Sequence, residues 1–145
     1  MINYECYTDG SYSSARNQGG IGIVFLRNGE KVFEYSKGFK ETTNNRMELL
    51  AVIKGLSALI EACSVNLYSD SQYVVDAFNK GWINSWSNNG WKTSSKKEVK
   101  NVDLWQELIS LCEIHNVNFI KVKGHADNPY NNKCDEIAVE QYKNM

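Results

Sequence analysis

Residues 42–56 read TTNNRMELLAVIKGL, a polar cluster followed by an almost unbroken apolar run that carries one acid, Glu48. Thr42 or Thr43 can cap a helix, because a side-chain hydroxyl accepts hydrogen bonds from the free N–H groups of the first turn. Apolar residues at positions 47, 50, 51, 53, 56, 58 and 60 cover most of the circumference of a helix that runs to about residue 62. The pattern predicts a central helix packed on a sheet, and the carboxylate inside it needs a reason.

Strands are predicted on both sides of this helix. Residues 3–8 alternate between apolar and polar side chains, and the turn signal Asp9-Gly10 follows, so the first strand is expected to end at the aspartate. Residues 21–26 and 31–39 form two more strands around Asn28-Gly29, a strong hairpin signal. Residues 65–69 and 117–122 add a fourth and a fifth strand.

The remaining segments predict helices. Asp70 or Ser71 caps a helix to about residue 79, residues 82–87 form one or two turns, residues 101–114 are amphipathic, and a last helix covers about 131–143. An antiparallel start followed by strand–helix units gives an α/β fold, a mixed sheet flanked by helices. A purely antiparallel α+β arrangement is the structural alternative.

Length and composition favour one globular domain over residues 1–145, with 42% hydrophobic and 23% charged residues. Neither a signal sequence nor an apolar run of membrane-spanning length is present, so we expect a cytoplasmic protein without a membrane partner, and nothing suggests more than a monomer. The four cysteines are widely spread and predict free thiols. The net charge of −1 gives no global attraction to nucleic acid, but a local basic protrusion is expected at about residues 82–100.

Four acids can converge on one rim of the sheet: Asp9, Glu48, Asp70 and Asp135. Each alone has a structural explanation, as a turn residue, a helix-dipole partner, an N-cap or a solvated acid. If the first and fourth strands are parallel neighbours, however, their carboxyl ends lie side by side where open α/β sheets bind ligands. Carboxylates gathered there repel one another unless a cation neutralises them, and all-oxygen ligation favours Mg²⁺ or Mn²⁺. Two such ions about 3.5 to 4 Å apart can assist phosphodiester hydrolysis.

The chain resembles the bacterial form of the type 1 ribonuclease H family. Five segments carry the resemblance in the same order as in the family: TDGS (8–11), TTNNRMEL (42–49), SDSQYV (69–74), GWKTSSKKEVKNVDLW (90–105) and VKGHADNPYNNKCDEIA (122–138). The resemblance implies the five-stranded ribonuclease H fold, with the first three strands antiparallel and the fourth and fifth parallel to the first. It also implies endonucleolytic cleavage of the RNA strand of RNA/DNA hybrids, leaving 5′-phosphate and 3′-hydroxyl ends.

The resemblance further implies roles for individual residues. The four acids become ligands of two metal ions, and His125 becomes a mobile histidine that assists proton transfer or product release. Residues expected to contact the hybrid near the metals are Gly10, Ser11, Thr43, Asn44, Asn45 and Gln72, of which the three amides can read ribose 2′-hydroxyls and base edges. Residues expected to grip it further away are Trp86, Trp91, Lys92, Lys96 and Lys97. Trp82 and Trp105 are interpreted as structural.

The sequence departs from the family pattern at several positions. Ala15 stands where an asparagine is frequent, Glu41 stands where a basic residue would help to hold a DNA phosphate, and residues 87–89 replace a basic cluster. We therefore expect weaker hybrid binding and a shallower salt dependence than in a more basic relative.

Two other functions are compatible with such a fold. One is a catalytically silent nucleic-acid-binding module, against which the presence of all four acids and His125 argues. The other is a nuclease for another substrate, such as an integrase, a junction resolvase or the nuclease part of a reverse transcriptase. The three amides and the protrusion argue against that second alternative.

Overall fold

The computed structural model describes residues 1–93, 95–123 and 128–145. Five strands lie within these ranges: β1 (Ile2–Ser13), β2 (Gln18–Arg27), β3 (Glu30–Lys40), β4 (Cys63–Ser69) and β5 (Asn116–Lys121). The helices there are α1 (Asn44–Ser57), α2 (Gln72–Asn79), α3 (Trp82–Asn88), α4 (Val102–Ile114) and α5 (Pro129–Lys143). Among the described residues, none of the helices combines the length and the apolar character needed to cross a bilayer.

The strands form one mixed sheet in the order β3-β2-β1-β4-β5. The pairs β1–β2 and β2–β3 are antiparallel, whereas β1–β4 and β4–β5 are parallel. The β2–β3 hairpin turns at Asn28 and Gly29, whose φ angles of 54° and 80° are those that a type I′ turn requires. The predicted mixed sheet is confirmed, and the purely antiparallel alternative is wrong.

The first strand does not end at Asp9 as predicted. It continues to Ser13 as an antiparallel partner of β2, with Asp9 opposite Gly22 and Gly10 opposite Ile21. Only its parallel pairing with β4 stops early, at Tyr7 opposite Tyr68. The Asp-Gly dipeptide resembles a turn in sequence, but the long partner strand β2 holds the backbone extended. Asp9 therefore lies just beyond the point where β1 and β4 separate.

The central helix is shorter than predicted. Thr43 is its N-cap, accepting a hydrogen bond from Arg46 N at 3.2 Å, but the helix ends at Ser57 rather than near residue 62. Residues 58–62 instead lead back to the start of β4 at Cys63, and Ile60 is fully exposed, with a relative accessibility of 102%. An apolar residue at a helical spacing was thus mistaken for a core residue.

Helices cover both faces of the sheet. α1 packs on β1 and β2 and is flanked by α4, while α5 packs on β1, β2 and β3 from the opposite face. The larger core lies on the α1 side, and a smaller cluster with Tyr7, Val24, Leu26 and Cys134 lies under α5. All four cysteines are free thiols, as predicted.

Candidate active site

Three carboxylates from three elements meet at the rim of the sheet. Asp9 comes from β1, Glu48 from the second turn of α1, and Asp70 directly follows β4. One oxygen from each can be chosen so that all three lie within 4.8 Å of one another. Asp9 and Glu48 are buried and Asp70 is half-buried. The predicted convergence of these acids is thus present in the fold.

Gly10 allows the central helix to come this close to β1. A Cβ on Gly10 would collide with the backbone of Met47 and Glu48, so any side chain here would push the helix away. The bare backbone instead donates its N–H to Glu48 Oε1. This hydrogen bond fixes the Glu48 carboxylate at the edge of the sheet. It explains why an acid occurs inside the apolar run of a core helix.

Crowding and burial change the acidity of the site. Burial, reinforced by the charges of Glu48, Asp70 and Asp135, raises the pKa of Asp9 from 3.8 to about 11. Burial and the charge of Asp70 raise the pKa of Glu48 from 4.5 to about 8, although the Gly10 N–H opposes the increase. Without a compensating cation, the site therefore holds protons at neutral pH.

Asp135 reaches the same site from α5. Its carboxyl acts on that of Asp9, whose pKa it raises, and it lines the same cleft as the other three acids. The helix can lie close to the sheet because β2 presents glycines to it: a Cβ on Gly20 or Gly22 would meet the α5 carbonyls of Ala138 and Cys134. Asp135 follows Cys134 directly, so these glycines help to set its position.

The donor set fits a hard divalent cation. The converging ligand atoms are carboxylate oxygens. Among the described residues, the side chains that line the cleft around them offer hydroxyl and amide groups, and none offers a thiol or an imidazole. Mg²⁺ and Mn²⁺ prefer oxygen ligands, and a bound cation would remove the repulsion that raises both pKa values. The chemistry of the residues therefore supports a metal centre.

Polar residues surround the carboxylates in an open cleft of about 460 Å³. Five of the predicted substrate-binding residues line it, namely Gly10, Ser11, Asn44, Asn45 and Gln72. The sequence reasoning missed three others, Tyr12, Ser71 and Tyr73. Ser71 was seen only as a cap, a role that it has, since its hydroxyl accepts from Val74 N at 3.3 Å. Tyr73 could have been predicted from the sequence, because it directly follows Gln72, a residue already expected at the site.

One residue that was predicted to bind substrate near the metals, Thr43, does not line this cleft. Thr43 is exposed and caps α1, and the lining of the cleft begins with the next residue, Asn44. His125 falls in 124–127, outside the described residues. Near Thr43, Glu41 has a left-handed φ of 52° and donates its N–H to Asn17 O at 2.8 Å, and Ala15 lies in the exposed turn just before Asn17.

The protrusion forms a second groove beside the cleft. This groove, of about 350 Å³, is lined by Asn45, Tyr73, Trp86, Thr93, Ser95, Lys97, Glu98, Val99 and Lys100, so it shares Asn45 and Tyr73 with the cleft. The predicted contacts Lys92 and Lys96 are exposed outside this lining. Trp91 is half-buried against the core, with a φ of 62°.

Tryptophans connect the protrusion to the core. Trp105 is fully buried, which agrees with its interpretation as structural, and its ring centroid lies 5.5 Å from that of Trp86. Trp86 in turn contacts Trp82 at 6.2 Å, and Trp82 is 37% exposed. One face of Trp86 is therefore packed while the residue also borders the groove.

Known proteins resemble the chain in sequence and in structure. The model of the RNase H family matches residues 2–143. A ribonuclease H of Desulforamulus reducens is 54% identical over 137 residues, which cover 94% of this chain and 86% of the relative. A ribonuclease H of Acetivibrio thermocellus is 53% identical over 144 residues, covering 99% of this chain and 97% of the relative.

Solved structures also resemble the chain in fold. LC9-RNase H1, a type 1 RNase H with the type 2 active-site motif, is 29% identical, with a TM-score of 0.87 over 99% of this chain and 74% of its own. A foamy viral protease-reverse transcriptase in complex with double-stranded DNA shares the fold at 21% identity, with a TM-score of 0.84 over 100% of this chain and 97% of its own. The relatives that match in sequence are enzymes, which argues against the alternative of a catalytically silent nucleic-acid-binding module. The chain belongs to the ribonuclease H family, as a type 1 member, and is a nuclease.

Proposed function

We propose that this nuclease hydrolyses the RNA strand of RNA/DNA hybrids endonucleolytically, leaving 5′-phosphate and 3′-hydroxyl ends. The observation that carries the proposal is the carboxylate cluster, whose oxygens lie within 4.8 Å of one another at the bottom of a cleft bordered by amide side chains. The family assignment supports the same reaction, and LC11-RNase H1, a structural neighbour, has been solved in complex with an RNA/DNA hybrid.

Asp9, Glu48, Asp70 and Asp135 would hold the metal, Mg²⁺ or Mn²⁺, as two ions when substrate is bound. Such ions activate a water and stabilise the leaving oxygen of a phosphodiester. The contribution of the chain is to keep these carboxylates close despite their mutual repulsion. The Gly10 N–H orients Glu48, and the packing of α5 on glycines of β2 brings Asp135 to the same edge.

Amides beside the carboxylates would distinguish RNA from DNA. Asn44, Asn45 and Gln72 are exposed and line the cleft, and an amide can both donate to and accept from a ribose 2′-hydroxyl. Gly10 and Ser11 would lie under the sugar-phosphate backbone at the metals. The Thr43 hydroxyl accepts from Arg46 N, which leaves its proton available for a phosphate of the DNA strand.

The protrusion would bind the hybrid beyond the cleavage site. Lys92, Lys96 and Lys97 are exposed cations, and Trp86 and Trp91 hold their segment against the core. Such contacts add affinity that depends on salt but not on sequence. We further propose that the protein acts as a cytoplasmic monomer of one domain and that His125 assists proton transfer or product release.

A cleavage assay with a matched substitution tests the proposal. The wild type, Asp70→Asn and Asp103→Asn are incubated with an end-labelled hybrid and with RNA/RNA, DNA/DNA and single-stranded controls, in Mg²⁺, Mn²⁺ and EDTA. Asp103 is an acid of the same kind outside the cleft, where it pairs with Arg46 at 3.0 Å. Calorimetric titration with Mg²⁺ provides a readout that does not depend on turnover.

We expect only the RNA of the hybrid to be cut, with 5′-phosphate products that ligase can join. Asp70→Asn should lose both cleavage and Mg²⁺ binding, while Asp103→Asn should retain both. Cleavage of DNA or of RNA/RNA by the wild type would overturn the substrate assignment. Full Mg²⁺ binding and full activity in Asp70→Asn would overturn the metal site.

A further inference from the structure

Tyr73 occupies the junction between the cleft and the groove. It lines both of them, is half-buried, and directly follows Gln72, whose amide also faces the cleft. Its hydroxyl has two neighbours, Asn101 Nδ2 at 3.2 Å and Trp105 Nε1 at 3.1 Å. The direction of these two hydrogen bonds decides what the hydroxyl proton can do.

The Asn101 amide can be oriented without ambiguity. Its Oδ1 lies 3.2 Å from Arg46 Nη1, and a guanidinium has no acceptor, so the atom facing Arg46 must be the oxygen. Arg46 is itself fixed by two hydrogen bonds to the Asp103 carboxylate, at 3.2 and 3.0 Å. The Asn101 NH₂ group therefore faces Tyr73, and it can only donate.

The second neighbour is also a donor. An indole N–H cannot accept, and Trp105 is fully buried, so its Nε1 proton must go to the Tyr73 oxygen. The Tyr73 oxygen thus accepts two hydrogen bonds, and neither partner can take its proton. Among the described residues, no acceptor for this proton is present within hydrogen-bonding distance.

We propose that the Tyr73 hydroxyl donates its proton to a phosphate oxygen of the bound nucleic acid and so positions the strand that passes from the cleft into the groove. The proposal rests on the proposed function, because it places a hybrid in that cleft. Two donated hydrogen bonds polarise the phenol and make it a stronger donor. Such a donor suits an anionic acceptor.

The surroundings of Tyr73 point to a phosphate oxygen as this acceptor. Lys97 and Lys100 border the same groove, and both are exposed cations. A strand leaving the metal site would carry its phosphates toward them. Tyr73 lies between the carboxylates on one side and these lysines on the other, where a neutral donor can contact a phosphate without adding charge.

A coupling experiment separates this role from a structural one. Hybrids carrying a single neutral methylphosphonate at successive positions of either strand are cleaved by the wild type and by Tyr73→Phe, and kcat/KM and Kd are compared. We expect the substitution to cost about ten-fold in kcat/KM on the unmodified hybrid. At one position, the methylphosphonate should remove most of this difference, because both changes delete the same hydrogen bond.

Two further variants serve as controls. Tyr12→Phe deletes a hydroxyl from the same cleft, but that hydroxyl already donates to Asn17 Oδ1 at 3.0 Å, so its effect should be independent of every methylphosphonate. Trp105→Phe disturbs the packing and removes one of the two donated hydrogen bonds, but it leaves the Tyr73 proton free, so that enzyme should stay sensitive to the methylphosphonate at the same position, to a smaller degree than the wild type. If Tyr73→Phe does not fold, 3-fluorotyrosine can be placed at position 73 instead. In mildly acidic buffer, where the fluorinated phenol keeps its proton, it is a stronger donor. It should therefore raise the affinity for the unmodified hybrid but not for the hybrid with the methylphosphonate.

The outcomes distinguish the two proposals. Additive effects of Tyr73→Phe and of methylphosphonates at all positions, in an enzyme that cleaves hybrids normally, would overturn the role of Tyr73 and leave the proposed function intact. A wild type that does not cleave hybrids would overturn the function itself. Coupling confined to one phosphate would confirm the hydrogen bond and identify its strand.

Discussion

Replacing Asp9 by asparagine should stabilise the metal-free protein at neutral pH while abolishing its activity. Asp9 and Glu48 are only 4% and 6% exposed, and they share one small volume with Asp70. An asparagine keeps the size of the side chain and is neutral at every pH. The wild type must take up a proton at Asp9 when it folds at neutral pH, because burial and repulsion disfavour the carboxylate, and the asparagine variant avoids this cost.

The magnitude follows from the direction of the pKa shifts. Between the ordinary pKa of Asp9, 3.8, and its raised value of about 11, the folded protein binds one more proton at Asp9 than the unfolded chain does. The free energy of unfolding therefore falls as pH rises through this window. One such proton corresponds to about 1.4 kcal/mol per pH unit, so between pH 5 and pH 7 the proton on Asp9 should cost the wild type about 3 kcal/mol of stability. Asp9→Asn does not take up this proton, so its stability relative to that of the wild type should be about 3 kcal/mol higher at pH 7 than at pH 5.

Urea unfolding in EDTA, followed at both pH values, measures this effect. Mg²⁺ should stabilise the wild type, by about 2.7 kcal/mol at a hundred times its Kd, and leave Asp9→Asn unchanged. Asp103→Asn is the matched control, because its partner Arg46 lowers the pKa of Asp103 and the substitution should slightly destabilise the protein. Equal stabilities of wild type and Asp9→Asn at pH 7, with the same dependence on pH, would refute the reasoning.

Three further substitutions test other parts of the structure. Gly22→Ala places a methyl group against the Cys134 carbonyl, so urea unfolding should show a loss of about 1–3 kcal/mol and calorimetry a weaker Mg²⁺ affinity; unchanged values would mean that α5 does not need this glycine. His115→Ala removes the Nδ1 acceptor that lies 3.1 Å from Cys63 N, at a cost of about 1–3 kcal/mol, and an unchanged urea midpoint would contradict the role of this bond. Lys97→Gln should reduce the slope of log Kd for hybrid against log salt by about 0.9 without changing Mg²⁺ affinity, and an unchanged slope would exclude a phosphate contact.

Sequence reasoning predicted the elements whose signals are local. The hairpin at Asn28-Gly29, the cap at Thr43 and the order of strands and helices all depend on neighbours in the chain, and the structure confirms them. The rim on which Asp9, Glu48 and Asp70 meet also followed, since it needs only the rule that carboxyl ends of parallel neighbouring strands lie together.

Features decided by distant partners were beyond the reach of local signals. Whether β1 stops at Asp9 depends on the length of β2, which pairs with it as far as Ser13. The end of α1 depends on where β4 must begin, and Ile60 is exposed although its spacing fits a helix. The free proton of Tyr73 depends on residues of two other segments of the chain, Arg46 from α1 and Asn101 and Trp105 from the start of α4.

The same close packing explains both the site and its cost to stability. Gly10 and Gly22 let a helix backbone approach each face of the sheet where a larger residue would collide, and Glu48 and Asp135 come from those two helices. Both acids thereby act on Asp9, where they raise its pKa and oppose folding of the metal-free chain. A cation reverses the sign of this interaction, because the charges that repel one another all attract it. The close approach of α1 and α5 to the sheet therefore explains both why glycines stand at these positions and why the site suits a divalent metal.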